Sequence, residues 1–266
     1  KIPIVRLNNF TEIKQINSLQ VLDVPLRFKN PYEIAKIDNS VYIRQSLNLA
    51  HKLASNKDIS GFINCSVDKR SLGKNNKGVT EYLSKKNKLK NSEVMMIFNK
   101  KISVVPLTTH ISIKDVAKKL EIKSMSKKII TLNTHYFKLF KKKPNIAILG
   151  LNPHNAELKA NSEEKKIILP LVKRLKQKKV KIFGPFSADT IFINRQKNKF
   201  DVIVGMYHDQ VLAPFKALFG FNAINITLGL KYVRISPDHG TAKDIIKKRK
   251  ANPKSLLSAI SFISKI

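Results

Sequence analysis

The stretch "FDVIVGMYHDQVLAPFK" (200–216) decides how the rest of the chain is read. Val202 to Met206 form an apolar run, the pattern of a strand buried on both faces. Directly after it come a histidine, a carboxylate and an amide, His208, Asp209 and Gln210, with Lys216 six residues further on. A buried strand closing on polar side chains is characteristic of α/β sheets, whose ligands bind beyond the carboxyl ends of the strands. The pattern recurs in "ISVVPLTTH" (102–110) and "NIAILGLNPH" (145–154), apolar runs that close on His110 and His154.

Further out, "ISGFINCSV" (59–67), "EVMMIFN" (93–99) and "VKIFGPFSADTIF" (180–192) read as strands, the last running on into a loop. Apolar residues at helical spacing predict helices over 41–55, 112–121, 125–140 and 162–179, and a final one starting near Asn252–Pro253. Ser162, Glu163 and Glu164 suit a helix N-terminus, and Pro170 is expected to kink the helix they open. Alternating strands and helices predict an α/β fold with a largely parallel sheet.

A chain of 266 residues, 42% of them apolar, can build one large globular domain or two smaller ones. No run approaches the roughly 18 apolar residues of a membrane span, and "KIPIVRLNNF" lacks the apolar core of a secretory signal. The single cysteine, Cys65, excludes an internal disulfide and a cysteine-rich zinc site, so a reducing cytoplasm is the expected compartment. The formal charge of +33 invites a nucleic-acid reading. However, only eight of the 51 basic residues are arginine, and the lysines are scattered in short runs with no aromatic platform between them. Compositional drift towards lysine accounts for the charge, and no specific nucleic-acid partner is expected.

Among the six histidines, His51 and His135 fall in helical segments and read as structural, while His239 in "SPDHGTAKD" is a second-tier site candidate. His110, His154 and His208 are different because each follows a strand. One such histidine would ordinarily be a half-buried imidazole. Three at equivalent strand ends could supply neutral imidazoles to a catalytic divalent metal, although their separation in sequence forms no local motif. Lys216, Asn225, Thr227 and Arg234 add groups that hold phosphate or carboxylate. Arg234 is the most informative of these because arginine is scarce here.

Taken in order, "TTH" (108–110), "GLNPHNAE" (150–157), "GPFSADTIF" (184–192), "MYHDQVLAPFK" (206–216), "INITLGL" (224–230) and "RISPDHGTA" (234–242) resemble the 4-hydroxythreonine-4-phosphate dehydrogenase family of vitamin B6 biosynthesis, over roughly residues 41–266. The resemblance implies an isocitrate/isopropylmalate-dehydrogenase-like α/β fold in two domains with a cleft between them. Their expected bounds are 1–72 with 240–266, and 73–239. It implies NAD-dependent oxidation of 4-phosphohydroxy-L-threonine, with decarboxylation to 3-amino-2-oxopropyl phosphate. It also implies a homodimer whose active site lies at the subunit interface.

A divalent ion (zinc, cobalt or magnesium) would be held by His110, His154 and His208, with His208 expected to come from the partner subunit. The resemblance assigns substrate binding to Thr80, Lys216, Asn225 and Arg234, and catalytic roles to Asp189, Asp209 and Lys216. No G-x-G-x-x-G occurs, which excludes a standard Rossmann cofactor site and agrees with the isocitrate-dehydrogenase type. The chain departs from the family at "GVTE" (78–81), where Val79 replaces a histidine, at "NCSV" (64–67), where Cys65-Ser66 replaces Gly-Pro, and in having no glycine-rich opening segment. These departures leave two other readings open: a dehydrogenase of a 4-phosphorylated sugar acid such as an erythronate or threonate, or a noncatalytic polyanion-binding relic.

Overall fold

The computed structural model describes residues 3–14, 16–73, 78–193, 199–246, 248 and 250–266. Ten strands are described: β1 (Ile4–Leu7), β2 (Leu19–Leu22), β3 (Gly61–Ile63), β4 (Val94–Asn99), β5 (Ile102–Thr108), β6 (Ile146–Leu149), β7 (Ile182–Phe186), β8 (Val202–Tyr207), β9 (Ile224–Leu228) and β10 (Val233–Pro237). The helices are α1 (Lys36–Ser55), α2 (Val79–Lys86), α3 (Val116–Lys119), α4 (Ile122–Phe140), α5 (Leu169–Gln177), α6 (His208–Phe219) and α7 (Lys254–Ile263). β1 and β2 form a small parallel pair, and the other eight strands form one sheet in the order β3-β10-β9-β4-β5-β8-β6-β7.

The α/β expectation holds, with a correction to the sheet. It is mixed rather than largely parallel: β5, β8, β6 and β7 run parallel, as do β3 and β10, but β10–β9, β9–β4 and β4–β5 are antiparallel. Connection length explains this, since a parallel crossover needs a dozen or more residues. Only Lys100 and Lys101 separate β4 from β5, and β9 reaches β10 through a short turn in which Gly229 takes a φ of 102°.

The apolar strands split their side chains between two layers. Val105 and Leu107 of β5, Ile146 and Ile148 of β6, and Val202, Val204 and Met206 of β8 pack with α4 and α5. The intervening Val104, Ala147, Leu149 and Ile203 pack with Val211, Leu212 and Phe215 of α6 on the other face. This period-two division over continuously buried strands is the signature of a sheet covered on both sides.

Two helices escaped the sequence reading. α2 is short, and α6 begins at His208, immediately after the strand it was read with. Pro170 was expected to kink the 162–179 helix. It sits inside a continuous helical run, directly after a π-helical turn over Glu164–Ile168 where the hydrogen-bond ladder is irregular. Ser162 caps as expected, its Oγ accepting from the Lys165 amide at 3.2 Å. No helix among the described residues is long and apolar enough to cross a membrane.

Phe215 is fully buried against this second layer, whereas Leu257 on α7 is 58% exposed. Phe215→Ala is expected to cost about 3–5 kcal/mol of unfolding free energy, and Leu257→Ala less than about 0.5 kcal/mol, measured by urea denaturation.

Candidate active site

The site begins at the centre of the mixed sheet. Arg234 of β10 stands opposite Thr227 of β9, and Ser236 opposite Asn225, so all four side chains share one sheet face. Arg234 is buried. Its Nε donates to Asn64 Oδ1 at 2.7 Å, and its Nη1 to Thr227 Oγ1 at 2.9 Å and Thr80 Oγ1 at 3.5 Å. Among the described residues no carboxylate pairs with it. Burial lowers its pKa to about 10, against the opposing pull of the Glu81 charge, so it remains cationic at neutral pH. A buried guanidinium held by neutral oxygens, with no ion-paired carboxylate among the described residues and only the more distant Glu81 charge acting on it, is suited to an anionic ligand.

Next to Thr80 on α2, Glu81 brings Oε1 to 3.5 Å from His110 Nδ1, and its Oε2 is buried without a hydrogen-bond partner. Burial raises the Glu81 carboxyl, but His110 and a backbone N–H outweigh it and hold the group below its ordinary range. His110 follows β5 with a φ of 52°, left-handed backbone that costs energy for a non-glycine residue and clusters at functional sites. Its ring centroid lies 6.1 Å from that of His208, the first residue of α6. His208 Nδ1 is in turn 2.6 Å from Asp209 Oδ1. Both imidazoles thus turn Nδ1 towards a carboxylate oxygen, a contact also made by metal-binding histidines.

The third strand end differs. His154 lies on the turn after β6, exposed, within a run from His154 to Leu158 in which every residue has a positive φ. That turn is tied down by Glu164, whose Oε1 accepts from the Leu151 amide at 2.7 Å and the Asn152 amide at 2.8 Å. Among the described residues no three His, Cys, Asp or Glu side chains gather closely enough to hold a metal ion. Within one protomer the His110 and His208 rings lie 6.1 Å apart, tilted at 34°, without a third ligand gathered around them among the described residues.

Lys216 Nζ lies 3.1 Å from Asp238 Oδ2 and 5.1 Å from the Phe221 ring centre, so Asp238 already engages this cation. Burial keeps the Asp238 carboxyl above its usual range, against the pull of Lys216, His239 and His208. Asn225 Oδ1 is buried with no hydrogen-bond partner among the described residues, an unsatisfied acceptor on the same sheet face as Arg234. Asp189 lies on the exposed turn after β7, and none of these contacts reaches it. His51 bonds Tyr232 OH at 2.8 Å, and His239 Nδ1 lies 2.9 Å from the Gly240 carbonyl, both consistent with local structural roles.

Sequence reasoning missed Asn64, Glu81, Asp238 and Glu164. Glu81 had the clearest signal, as the acid that follows Thr80 at a helix start.

Residues 1–263 match the model of the family described as pyridoxal phosphate biosynthetic protein PdxA. The chain belongs to that family. The match starts at residue 1, so the likeness extends well before residue 41, where the motifs alone placed its start. The chain is 35% identical to the 4-hydroxythreonine-4-phosphate dehydrogenase of Aquifex aeolicus over 96% of its own length and 81% of that protein's. It is 36% identical to the protein of the same name from a Sulfurihydrogenibium strain, over 95% and 80%. Among solved structures, the 4-hydroxythreonine-4-phosphate dehydrogenase of Klebsiella pneumoniae superposes with a TM-score of 0.87 at 27% identity, over 100% of this chain and 83% of that one. A terephthalate 1,2-cis-dihydrodiol dehydrogenase from Burkholderia xenovorans shares the fold, with a TM-score of 0.65 at 20% identity.

Within this PdxA-family site, burial raises the Glu164 carboxyl, but N–H groups of Asn152 and Leu151 outweigh it and hold the carboxyl below its ordinary range. A depressed carboxyl contributes stability that is complete above the unfolded pKa and is lost as pH falls through the folded one. The stability advantage of the wild type over Glu164→Gln is therefore expected to be constant above roughly pH 5 and to shrink steadily below it, followed by urea unfolding at a series of pH values.

Proposed function

We propose that this chain catalyses the NAD-dependent oxidation of 4-phosphohydroxy-L-threonine, with decarboxylation to 3-amino-2-oxopropyl phosphate, in pyridoxal phosphate biosynthesis. The observation that carries the proposal is the buried Arg234, held by Asn64, Thr227 and Thr80 with no carboxylate ion-paired to it among the described residues, on the sheet whose strand ends lead into His110, His154 and His208. The names of the relatives support the choice of substrate.

In this reading Arg234, with Thr80 and Thr227, binds an anionic group of the substrate, and the free Asn225 oxygen accepts from one of its donors. Lys216, steadied by Asp238, adds a second positive charge to neutralise the other anionic end. The substrate hydroxyl then lies near the imidazoles. Its carbon gives hydride to the nicotinamide, while a carboxylate, Asp209 or Asp189, takes the hydroxyl proton. The carbon–carboxylate bond of the resulting 3-oxo acid then breaks, its electron pair forming the enolate double bond as carbon dioxide departs, and that carbon takes up a proton to give the aminoketone.

The donor chemistry of His110 and His208 suits a divalent metal (zinc, cobalt or magnesium), with His154 as the third ligand and one of the three, His208 by the family resemblance, crossing from a second protomer. When bound, such an ion would polarise the substrate oxygen. A homodimer follows from this sharing. Ile113 and Ile193, 71% and 77% exposed on loops leaving the carboxyl ends of β5 and β7, are apolar surface that a second copy could cover. The division into 1–72 with 240–266 and 73–239, and a cytoplasmic location, belong to the same proposal.

The test is NADH formation from 4-phosphohydroxythreonine with added divalent metal. His154→Ala is expected to lower kcat/KM at least about 100-fold by removing a metal ligand. Arg234→Lys keeps the charge but cannot span Asn64 and Thr227, so KM is expected to rise about tenfold or more with little change in thermal stability. Turnover confined to 4-phosphorylated sugar acids would transfer the proposal to that substrate class. The absence of both metal binding and NAD reduction would end it.

A further inference from the structure

We infer that Glu164 is a positioning residue, which fixes the turn after β6 so that His154 is presented to the metal. The inference rests on the proposed function for the identity of the metal site. Glu164 is completely buried yet has no cationic partner among the described residues. A carboxylate in a first helical turn ordinarily faces the N–H groups of its own helix or solvent. The Glu164 side chain instead reaches back to a different loop. Oε1 accepts from the Leu151 and Asn152 amides, and Oε2 from Asn152 Nδ2 at 3.1 Å. Asn152 Nδ2 also donates to Glu163 Oε2 at 2.7 Å, so two consecutive acids hold one asparagine.

A buried anion satisfied only by N–H donors is costly to desolvate, and a purely structural brace could have used a neutral acceptor. What the charge supplies is short, strong, directional hydrogen bonds at the two residues that lead into Pro153 and His154. The neighbouring geometry leaves that loop little freedom. Gly150 has no room for a side chain, because a Cβ there would run into Asn155 and come within 3.0 Å of Glu164 Oε1. Gln210 Nε2 donates to the Gly150 carbonyl at 2.7 Å, while its Oε1 accepts from the Met206 amide at 2.7 Å, tying the β6 end to the start of α6. The π-helical turn at Glu164–Ile168 delivers the carboxylate to this position. Glu164 and Gln210 thus grip the segment between β6 and His154 from two sides, and Gln210 lies two residues beyond His208.

The experiment uses the full chain and zinc as the probe. Glu164→Gln keeps one acceptor oxygen but sets an amide N–H group against Asn152 Nδ2. In the metal-free protein its Leu151 and Asn152 amides are expected to exchange hydrogen at least about tenfold faster than in the wild type, with the exchange of β5 and β8 unchanged. Zinc affinity, by competition with a chromophoric chelator, is expected to fall about 10- to 100-fold. In a His154→Ala background the same substitution is expected to change zinc affinity by less than about twofold, because its effect passes through His154.

A merely structural role would weaken zinc binding equally in both backgrounds, and that result overturns the inference. So does a folded Glu164→Gln protein with wild-type zinc affinity and amide exchange. If the wild type itself takes up no zinc, the metal reading fails instead, and unchanged amide exchange in Glu164→Gln would separately remove the clamp.

Discussion

Backbone hydrogen bonding runs β5, β8 and β6 parallel and side by side, and this fixes where their carboxyl ends emerge. In register, Thr108 lies beside Tyr207, so the residues that follow, His110 and His208, leave the sheet at neighbouring points. The alignment is stable because both faces of these strands are apolar and covered, one by α4 and α5, the other by α6. A slip of one residue would exchange the two sets of side chains and bury neither correctly. The chemistry at the strand ends is therefore set by the packing of the core beneath it.

A second constraint is electrostatic. On the antiparallel side of the sheet, Arg234 is buried with oxygens of Asn64, Thr227 and Thr80 around it and, among the described residues, no carboxylate ion-paired to it. A charge in that position lowers the stability of the empty protein and favours binding of an anion. The Arg234 and His110 regions are coupled through Glu81, which acts electrostatically on the first and contacts the second. The mixed sheet thus brings a parallel half, whose strand ends lead into the imidazoles, against an antiparallel half that carries Arg234, Thr227 and Asn225.

Much of this was legible in the sequence. Apolar runs ending in histidine marked β5, β6 and β8, and the scarcity of arginine drew attention to Arg234. The expectation of a largely parallel sheet failed because the short β4–β5 and β9–β10 connections, which dictate antiparallel pairing, were not weighed. α6 was missed because its first residues are polar and follow the strand without a loop, so strand and helix read as one segment. Glu164 was recognised as a helix-start acid, but nothing local in sequence reveals that its side chain turns to a loop twelve residues earlier. Contacts between distant segments are the part that periodicity and composition do not carry.

The central claim is that three histidines, drawn from two protomers, make one catalytic site. Mixing inactive His154→Ala and His208→Ala proteins, with exchange of subunits, tests it most directly, because a mixed dimer would contain one intact site. Recovery of NADH formation from 4-phosphohydroxythreonine to about a quarter of the wild-type rate is the expected result, since half the dimers would be mixed with one good site each. No recovery, with mixed dimers shown to form, would contradict a site shared between protomers.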